Sequence, residues 1–418
     1  MEIARIFKPD RKLHGRITLE GSKSLSNRAL IALALSGARA EDWLQNLSVS
    51  NDTAALQRLL GEQPHTCDAG DAGTTFRFLT AFLALRPGVQ VLTGSPRMRE
   101  RPIGALVEAL RTLGADIAYL ERVGFPPLRI GPPGQLCRNG NHVRIDAGVS
   151  SQFLSALLLI GPYLPGGLRL TPEGRLVSRS YLDMTLHLMR FFGADAGWEN
   201  QTLVVQPGAY RPRMLRIEAD WSAASYWYAM AALAEDAGLT LTGLSEKSWQ
   251  GDAVLVPLMA QFGVDTVFTP EGLMLQKRER RTPPEFEFDF LECPDIAQSL
   301  AVVCAGLGVS GCFSGLETLV VKETDRCAAL TAELAKAGVA FRVLPHRRAV
   351  YELRGKAQWH TPPRFATYGD HRMAMAFAAL GMLGTVRIEQ PAVVRKSYPA
   401  FWDHLAQAGF ILQKREMP

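Results

Sequence analysis

Polar and apolar positions follow a long rhythm along this chain. Six times a short polar or charged cluster precedes an apolar stretch of helical composition, then glycine, then a strand-like run. The clusters are Ser22-Lys23-Ser24 with Asn27-Arg28, Asp71 to Thr75 with Arg77, and Ser150-Ser151-Gln152. Asp220-Trp221-Ser222, Pro294-Asp295 and Gly369-Asp370-His371-Arg372 complete the set. They start roughly fifty and then about 70 to 80 residues apart, the spacing of an internal repeat. A cluster just ahead of an apolar periodic run predicts a helix N-terminus. A second echo is an amphipathic helix closed by glycine, at Gly61, Gly114, Gly193, Gly263, Gly338 and Gly409. Glycine there suits a left-handed cap before the next strand. Each unit is thus predicted to run strand, helix, strand, helix, strand, with a further strand between units. Helix N-termini carry free N–H groups and positive dipole ends, which hold anions. If six units pack symmetrically, six such ends converge on one site, the geometry of an enzyme for polyanions.

Composition narrows the class. The chain has 418 residues, 47% hydrophobic and 21% charged, enough for two sizeable domains of a soluble protein. Its longest apolar run, around Phe153 to Ile160, is too short for a membrane span. MEIARIFKPDRK lacks the apolar core of a signal peptide, so cytoplasm is expected and a membrane partner is not. Six cysteines without a CxxC pair predict reduced thiols, and no HExxH pattern is present, so no metal site is expected. The net charge of +5 comes without the long basic runs of a nucleic-acid tail. The densest run, Lys277 to Arg281, is expected to be a solvated turn.

The clusters carry the chemistry. Gly21 to Arg28 resembles a phosphate loop but is not a Walker A motif, because Ser22 separates Gly21 from Lys23. Lys23 and Arg28 flank the start of an apolar helix, where cations oppose the dipole and want an anionic ligand. Gly73 lets backbone N–H groups approach a ligand, and Arg97, Arg99 and Arg101 follow. Arginine grips carboxylate or phosphate in bidentate fashion. Ser150, Ser151 and Gln152 offer neutral donors, with Ser178 and Tyr181 beyond them. Taken alone, Asp295 reads as an N-cap of the helix after Pro294. Lys322 and Arg326, four apart with Glu323 beside them, read alone as a solvated helix face.

Together these segments resemble the enolpyruvyl transferases. The likeness runs from Gly21 to Lys396 in order: GSKSLSNR, AGT with Arg77, PRMRERPIG, SSQF, QGD at Gln250, VKETDR and GDHRMAM. The resemblance implies an α/β fold, a two-lobed inside-out α/β barrel of six repeated βαβαββ units, three per lobe. Residues 1–21 with 221–418 would form one lobe, and residues 22–220 the other. It implies transfer of the enolpyruvyl group of phosphoenolpyruvate to the 5-hydroxyl of shikimate 3-phosphate. Phosphate is released by addition then elimination through a tetrahedral intermediate, on the route to chorismate. Shikimate 3-phosphate would meet Lys23, Ser24, Arg28, Ser150, Ser151, Gln152, Ser178, Tyr181, Asp295, Thr318 and Lys322. Phosphoenolpyruvate would meet Lys23, Gly73, Arg101, Gln152, Arg326, Arg372 and Lys396. Asp295 would act at the hydroxyl proton and Glu323 at the methyl proton, with Lys23 stabilising the intermediate. Lys396 and His371 join the catalytic group, His371 as an orienting partner. No cofactor or metal is implied, and a monomer is expected.

The two substrates bring roughly six negative charges, and seven cations answer them from both lobes. Each lobe is therefore expected to be cationic by itself. Thr318 stands where the family has asparagine, Phe78 where it has proline, and Trp221 interrupts an Asp-Ala-Ser-Ser stretch. The stretch from Asn51 to Asp71 is short for the family. Gly73 followed by Thr74 resembles the glyphosate-sensitive form. The related UDP-N-acetylglucosamine transferase differs by Lys-Asn in the first motif and a lid cysteine, absent between Arg97 and Arg101. RNA 3′-phosphate cyclases share such units but need a histidine nucleophile, and His404 lacks their signature. A non-catalytic anion-binding homologue would lack Lys23, Asp295 or Glu323.

Overall fold

The computed structural model describes residues 2–138, 140–148, 150–278, 282–345, 347 and 349–416. The basic run at 277–281 falls partly outside the described residues. Within them, Lys277 donates to the Ala232 carbonyl and Arg278 pairs with Asp265 at 2.6 Å. The chain forms two compact units, residues 1–20 with 218–418 and residues 21–217.

In the 21–217 unit, three helices pack together: Lys23–Ser36, Gly73–Leu83 and Ser151–Ile160. Their apolar residues are buried almost all round, as expected of a central helix. Two four-stranded sheets flank them. One orders 66–68, 90–93, 128–130 and 117–119, and the other 142–146, 168–173, 202–205 and 196–199. In each, the first pair is parallel and the next two pairs antiparallel. A two-stranded parallel pair, 44–45 with 215–216, completes the unit.

The other unit repeats the plan around helices Trp221–Leu233, Ala297–Leu307 and His371–Ala378. Its sheets order 12–18, 236–242, 272–277, 264–269; then 285–289, 310–314, 351–354, 340–343; then 364–365, 386–389, 2–7, 411–416. Each again runs parallel, antiparallel, antiparallel. Every residue of the 221–233 helix except Ser222 is buried, which explains why its sequence shows no amphipathic stripe.

Asp220 caps that helix by accepting from the Ser222 and Ala223 amides. Trp221 does not disturb its placement: the ring is buried and its Nε1 donates to Glu218 at 2.8 Å. Five of the six cap glycines take the left-handed conformation, at φ values from 78° to 92°. Gly61 does not. Its helix, Asn51–Glu62, runs past it, and Gln63 at φ 46° takes the cap with its N–H on the Leu59 carbonyl. All six cysteines are free thiols. Among the described residues no helix is long and apolar enough to cross a membrane, and no cluster of three His, Cys, Asp or Glu side chains is placed to hold a metal.

Candidate active site

All six polar clusters sit at the starts of the six central helices, and within each unit three of those starts meet. In the 21–217 unit the meeting point is Arg28. Ser22 caps the first helix by accepting from the Leu25 amide, and Arg28 lies one turn in and buried. Its Nε donates to Thr185 Oγ1 at 2.7 Å, and its Nη1 to the Ser24 carbonyl at 2.9 Å. Its Nη2 reaches Ser155 Oγ at 3.1 Å and the Tyr181 carbonyl at 3.5 Å. The guanidinium also faces the rings of Phe78 and Tyr181, 5.4 and 5.8 Å from their centroids. The bulky Phe78 thus has a cation–π partner. Every one of these partners is neutral, and burial pulls the Arg28 pKa down to about 10.

Around it, Lys23 Nζ stands 3.2 Å from Asp52 Oδ2, and Ser150 caps its helix on the Gln152 amide. Gln152 Nε2 donates to Thr74 Oγ1 at 3.1 Å, joining the starts of two helices. Ser178 is buried at φ 56° ahead of the Arg179–Phe191 helix, and its side chain makes no capping bond there. Gly73 opens its helix against two arginines. A Cβ there would meet Arg101 Nη1 at 2.5 Å and Arg77 Nη1 at 3.1 Å. Arg77 Nη1 donates to the Gly73 carbonyl at 3.1 Å. Of the arginines between 97 and 101, Arg97 and Arg99 pair with Glu100 and Glu121 on the exposed surface. Only Arg101 is buried, with its Nε lacking a hydrogen-bond partner.

The other unit gathers its three helix starts around carboxylates. Arg326 is buried and bonded to three of them: Asp370 at 2.7 Å, Glu323 at 2.9 Å and Asp295 at 3.1 Å. Burial alone would lower its pKa, but Asp370, Glu323 and Asp295 reverse the effect and raise it. Arg372 lies 2.9 Å from Asp295 Oδ2 and donates to the Asp295 carbonyl at 3.0 Å. It also reaches Tyr226 and Ser222, each at 3.4 Å. Glu323 pairs with Lys396 at 3.4 Å as well as with Arg326. Desolvation lowers the Lys322 pKa although Asp295 works against it. His371 is buried, its Nδ1 3.9 Å from Asp370 Oδ1 and outside bonding distance. Thr318 is buried with its hydroxyl lacking a hydrogen-bond partner.

Three expectations are corrected here. Asp295 is not an N-cap: it sits in a 3-10 turn, 294–296, with no capping bond, and its carboxylate faces two arginines. Lys322 and Arg326 do not share a helix face. The helix begins at Arg326, capped by Asp325, and Lys322 ends the preceding 3-10 turn with ψ −147°. Nor is this unit's site simply cationic, since Asp295, Glu323 and Asp370 answer its arginines and Lys396.

Several contributors carry no motif in the sequence. Ser155 and Thr185 lie four residues after Ser151 and Tyr181, so helical spacing from those two candidates points to them. Asp52 gave no such signal. Asp252, inside the QGD motif, bonds Ser222 and is buried, with its pKa raised to about 7 by desolvation and then by Asp295. Gln250 of the same motif fastens Trp221 N, Glu218 and the Ala219 carbonyl.

Three converging helix starts, buried arginines and a set of clustered carboxylates in this α/β fold define a site for chemistry on small anions. Solved structures of the same fold include EPSP synthase from Acinetobacter baumannii, with a TM-score of 0.75 at 20% identity covering all of both chains. The enolpyruvyl transferase NikO from Streptomyces tendae follows at 0.71 and 17%, covering 100% of this chain and 99% of that one. A 3-phosphoshikimate 1-carboxyvinyltransferase of Bacteroides fragilis is 44% identical over 402 residues, 96% of each chain. Another, from a Sulfurovum species, is 35% identical over 435 residues, 96% of this chain and 97% of its own. The family described as EPSP synthase (3-phosphoshikimate 1-carboxyvinyltransferase) matches residues 56–405. The chain belongs to that family.

Proposed function

We propose that this chain transfers the enolpyruvyl group of phosphoenolpyruvate to the 5-hydroxyl of shikimate 3-phosphate, releasing phosphate, for aromatic amino acid biosynthesis. The observation that carries the mechanism is Arg326 holding Asp295 and Glu323 by two ion pairs, at 3.1 and 2.9 Å. The reaction needs a proton taken from a hydroxyl and a proton given to and later taken from a methyl carbon. Two separate carboxylates oriented by one rigid guanidinium fork suit those tasks. Asp295 works at the 5-hydroxyl and Glu323 at C3 of phosphoenolpyruvate. Attack at C2 gives the tetrahedral adduct, and loss of phosphate completes the transfer. Lys396, 3.4 Å from Glu323, adjusts the charge around that carboxylate as the proton moves. His371 orients its neighbours rather than exchanging protons.

On the 21–217 unit, Lys23, Ser24, Arg28, Ser150, Ser151, Gln152, Ser178 and Tyr181 receive shikimate 3-phosphate, the last five around its phosphate and ring. Asp295, Thr318 and Lys322 supply its remaining contacts. The unused hydroxyl of Thr318 supports that role, because buried donors are normally paired. Lys23, Gly73, Arg101, Gln152, Arg326, Arg372 and Lys396 bind phosphoenolpyruvate. The unfilled Nε of Arg101 and the neutral company of Arg28 leave both arginines ready for an anion. Gly73, with no Cβ to displace Arg101, leaves the room that makes such an enzyme a glyphosate target.

The fold reads as six βαβαββ repeats in an inside-out barrel, three per lobe. Among the described residues, five four-stranded sheets of one shared order and a sixth of two strands support this. The chemistry asks no cofactor of the protein. The assigned residues need no second chain, so the enzyme works as a monomer, and a biosynthetic role suits the cytoplasm.

The test is phosphate release from the purified chain given both substrates, with Glu323→Gln as control. Release that needs both substrates and is lost in the control is expected. Failure to bind either substrate would sink the reading.

A further inference from the structure

Arg326 and Glu333 lie seven residues apart on the Arg326–Ala335 helix, two turns along one face. Both are fully buried. Both grip the segment that leads into the His371–Ala378 helix. Arg326 holds Asp370 at 2.7 Å. Two turns on, Glu333 Oε2 accepts from the Ala366 amide at 2.9 Å, and Oε1 accepts from the Tyr368 hydroxyl at 2.7 Å. Lys336 donates to Glu333 Oε2 at 2.6 Å and to the Arg364 carbonyl at 2.9 Å. The fastenings therefore fall on alternate residues, 364, 366 and 368: a carbonyl, an amide and a side chain.

That segment needs holding. Tyr368 and Gly369 are consecutive residues in the left-handed region, at φ 54° and 68°. A tyrosine has no steric reason to be there, and such conformations persist only where the surroundings over-determine them. The very next residue is Asp370, whose amide donates to the Thr367 carbonyl at 2.8 Å. Asp370 caps the helix through the Arg372 amide at 2.8 Å while holding Arg326. A carboxylate sunk in a core is costly unless its bonds are complete. Those of Glu333 lead to this segment, or to Lys336, which reaches it too. Burial, and then the bond to Glu333, raise the Tyr368 phenol to about 12, so it keeps the proton that it donates.

We propose that Glu333, with Tyr368 and Lys336, is a positioning residue for the active site. It fixes residues 364–370 so that Asp370 meets Arg326 and Arg372 stands beside Asp295. This rests on reading Arg326 and Arg372 as phosphoenolpyruvate ligands. The competing account is a staple that serves stability alone.

Three variants of the full chain separate the two. Tyr368→Phe removes one hydrogen bond from a half-exposed ring. Glu333→Gln keeps the shape and loses the charge. Leu334→Ala cuts the core of the same helix and removes no hydrogen bond to the segment. In phosphate-release kinetics, KM for phosphoenolpyruvate is expected to rise about threefold in Tyr368→Phe and about tenfold in Glu333→Gln. KM for shikimate 3-phosphate changes less than about twofold in either. Leu334→Ala lowers the melting temperature and leaves both KM values in place. Without substrate, hydrogen exchange at residues 370–373 accelerates in the first two variants and not in the third. Kinetic changes that merely follow melting temperature across the three, or unaltered exchange, overturn the proposal. Should the wild-type chain release no phosphate, the functional reading falls and exchange alone decides: lost protection supports the clamp, and retained protection overturns it.

Discussion

The two units bring three helix starts together in the same way and fill the meeting point with opposite company. In the 21–217 unit, Arg28 is surrounded by hydroxyls, carbonyls and aromatic rings, with no carboxylate bonded to it among the described residues. In the other, Arg326 is closed in by three carboxylates. A buried cation held by neutral dipoles keeps its charge uncompensated and so favours an incoming anion. A cation saturated by carboxylates attracts less, but it aims those carboxylates rigidly. On the proposed reading, Arg28 is thus left ready for an anion, while Arg326 also aims the proton-moving carboxylates as it joins Arg372 and Lys396 on phosphoenolpyruvate. That division follows from side-chain choice alone, because the backbone plan is shared.

Removing each arginine is the sharpest way to break the comparison. Arg326→Met takes a partner from two half-buried carboxylates and leaves the fully buried Asp370 without its cation, and is expected to cost about 3–5 kcal/mol, seen as an early transition in denaturant. Arg28→Met leaves only hydroxyls and carbonyls, and Ser155 and Thr185 already bond each other at 3.0 Å. Its stability cost should stay within about 2 kcal/mol, while shikimate 3-phosphate binding by calorimetry weakens about 10- to 100-fold. Equal stability losses in the two variants would erase the contrast.

A smaller effect is expected at Gly73. The added methyl of Gly73→Ala collides with Arg101 Nη1, the far end of a flexible side chain. The guanidinium shifts and the fold survives. KM for phosphoenolpyruvate should rise about tenfold with melting temperature nearly unchanged. An unmoved KM would mean that Arg101 does not meet this substrate.

The smallest expected effect is a slope. Asp252 titrates at about 7 in the folded chain against a usual value of 3.8. Below pH 4 it is protonated folded or unfolded and costs nothing. Between pH 4 and 7 the unfolded chain releases the proton and the folded chain retains it, so stability falls as pH rises. Asp252→Asn removes this contribution. Its melting temperature relative to wild type should gain about 2 °C or more between pH 4 and pH 8. A constant difference across that range would show that Asp252 is ionised beside Asp295.

The helix starts were legible because each is local. Ser22, Ser150, Asp220 and Asp370 each cap a helix within three residues of themselves, and the apolar run follows at once. The cap glycines were legible for the same reason, and Gly61 failed because Gln63 can adopt the left-handed conformation too. Motif order, over most of the chain, carried the family. Local spacing alone pointed to a cap at Asp295 and a helix face at Lys322, and only the family resemblance assigned both to the site, because the partners of Asp295 lie 31 and 77 residues along the chain. Asp52 stayed invisible, since no local pattern marks an aspartate whose partner, Lys23, is 29 residues away.

Sequence by itself therefore determined where the central helices begin, which residue types gather at those starts, and the family they spell. Capping and periodicity act within a turn or two, and so are written along the chain. Only the tertiary structure decided which charge faces which: that Arg28 meets hydroxyls, Arg326 meets carboxylates, and Glu333 reaches Tyr368. Those pairings join residues 31 to 157 positions apart where Asp295 and Thr185 are concerned. Ion pairs and hydrogen bonds depend on distance in space, and packing of the central helices sets that distance.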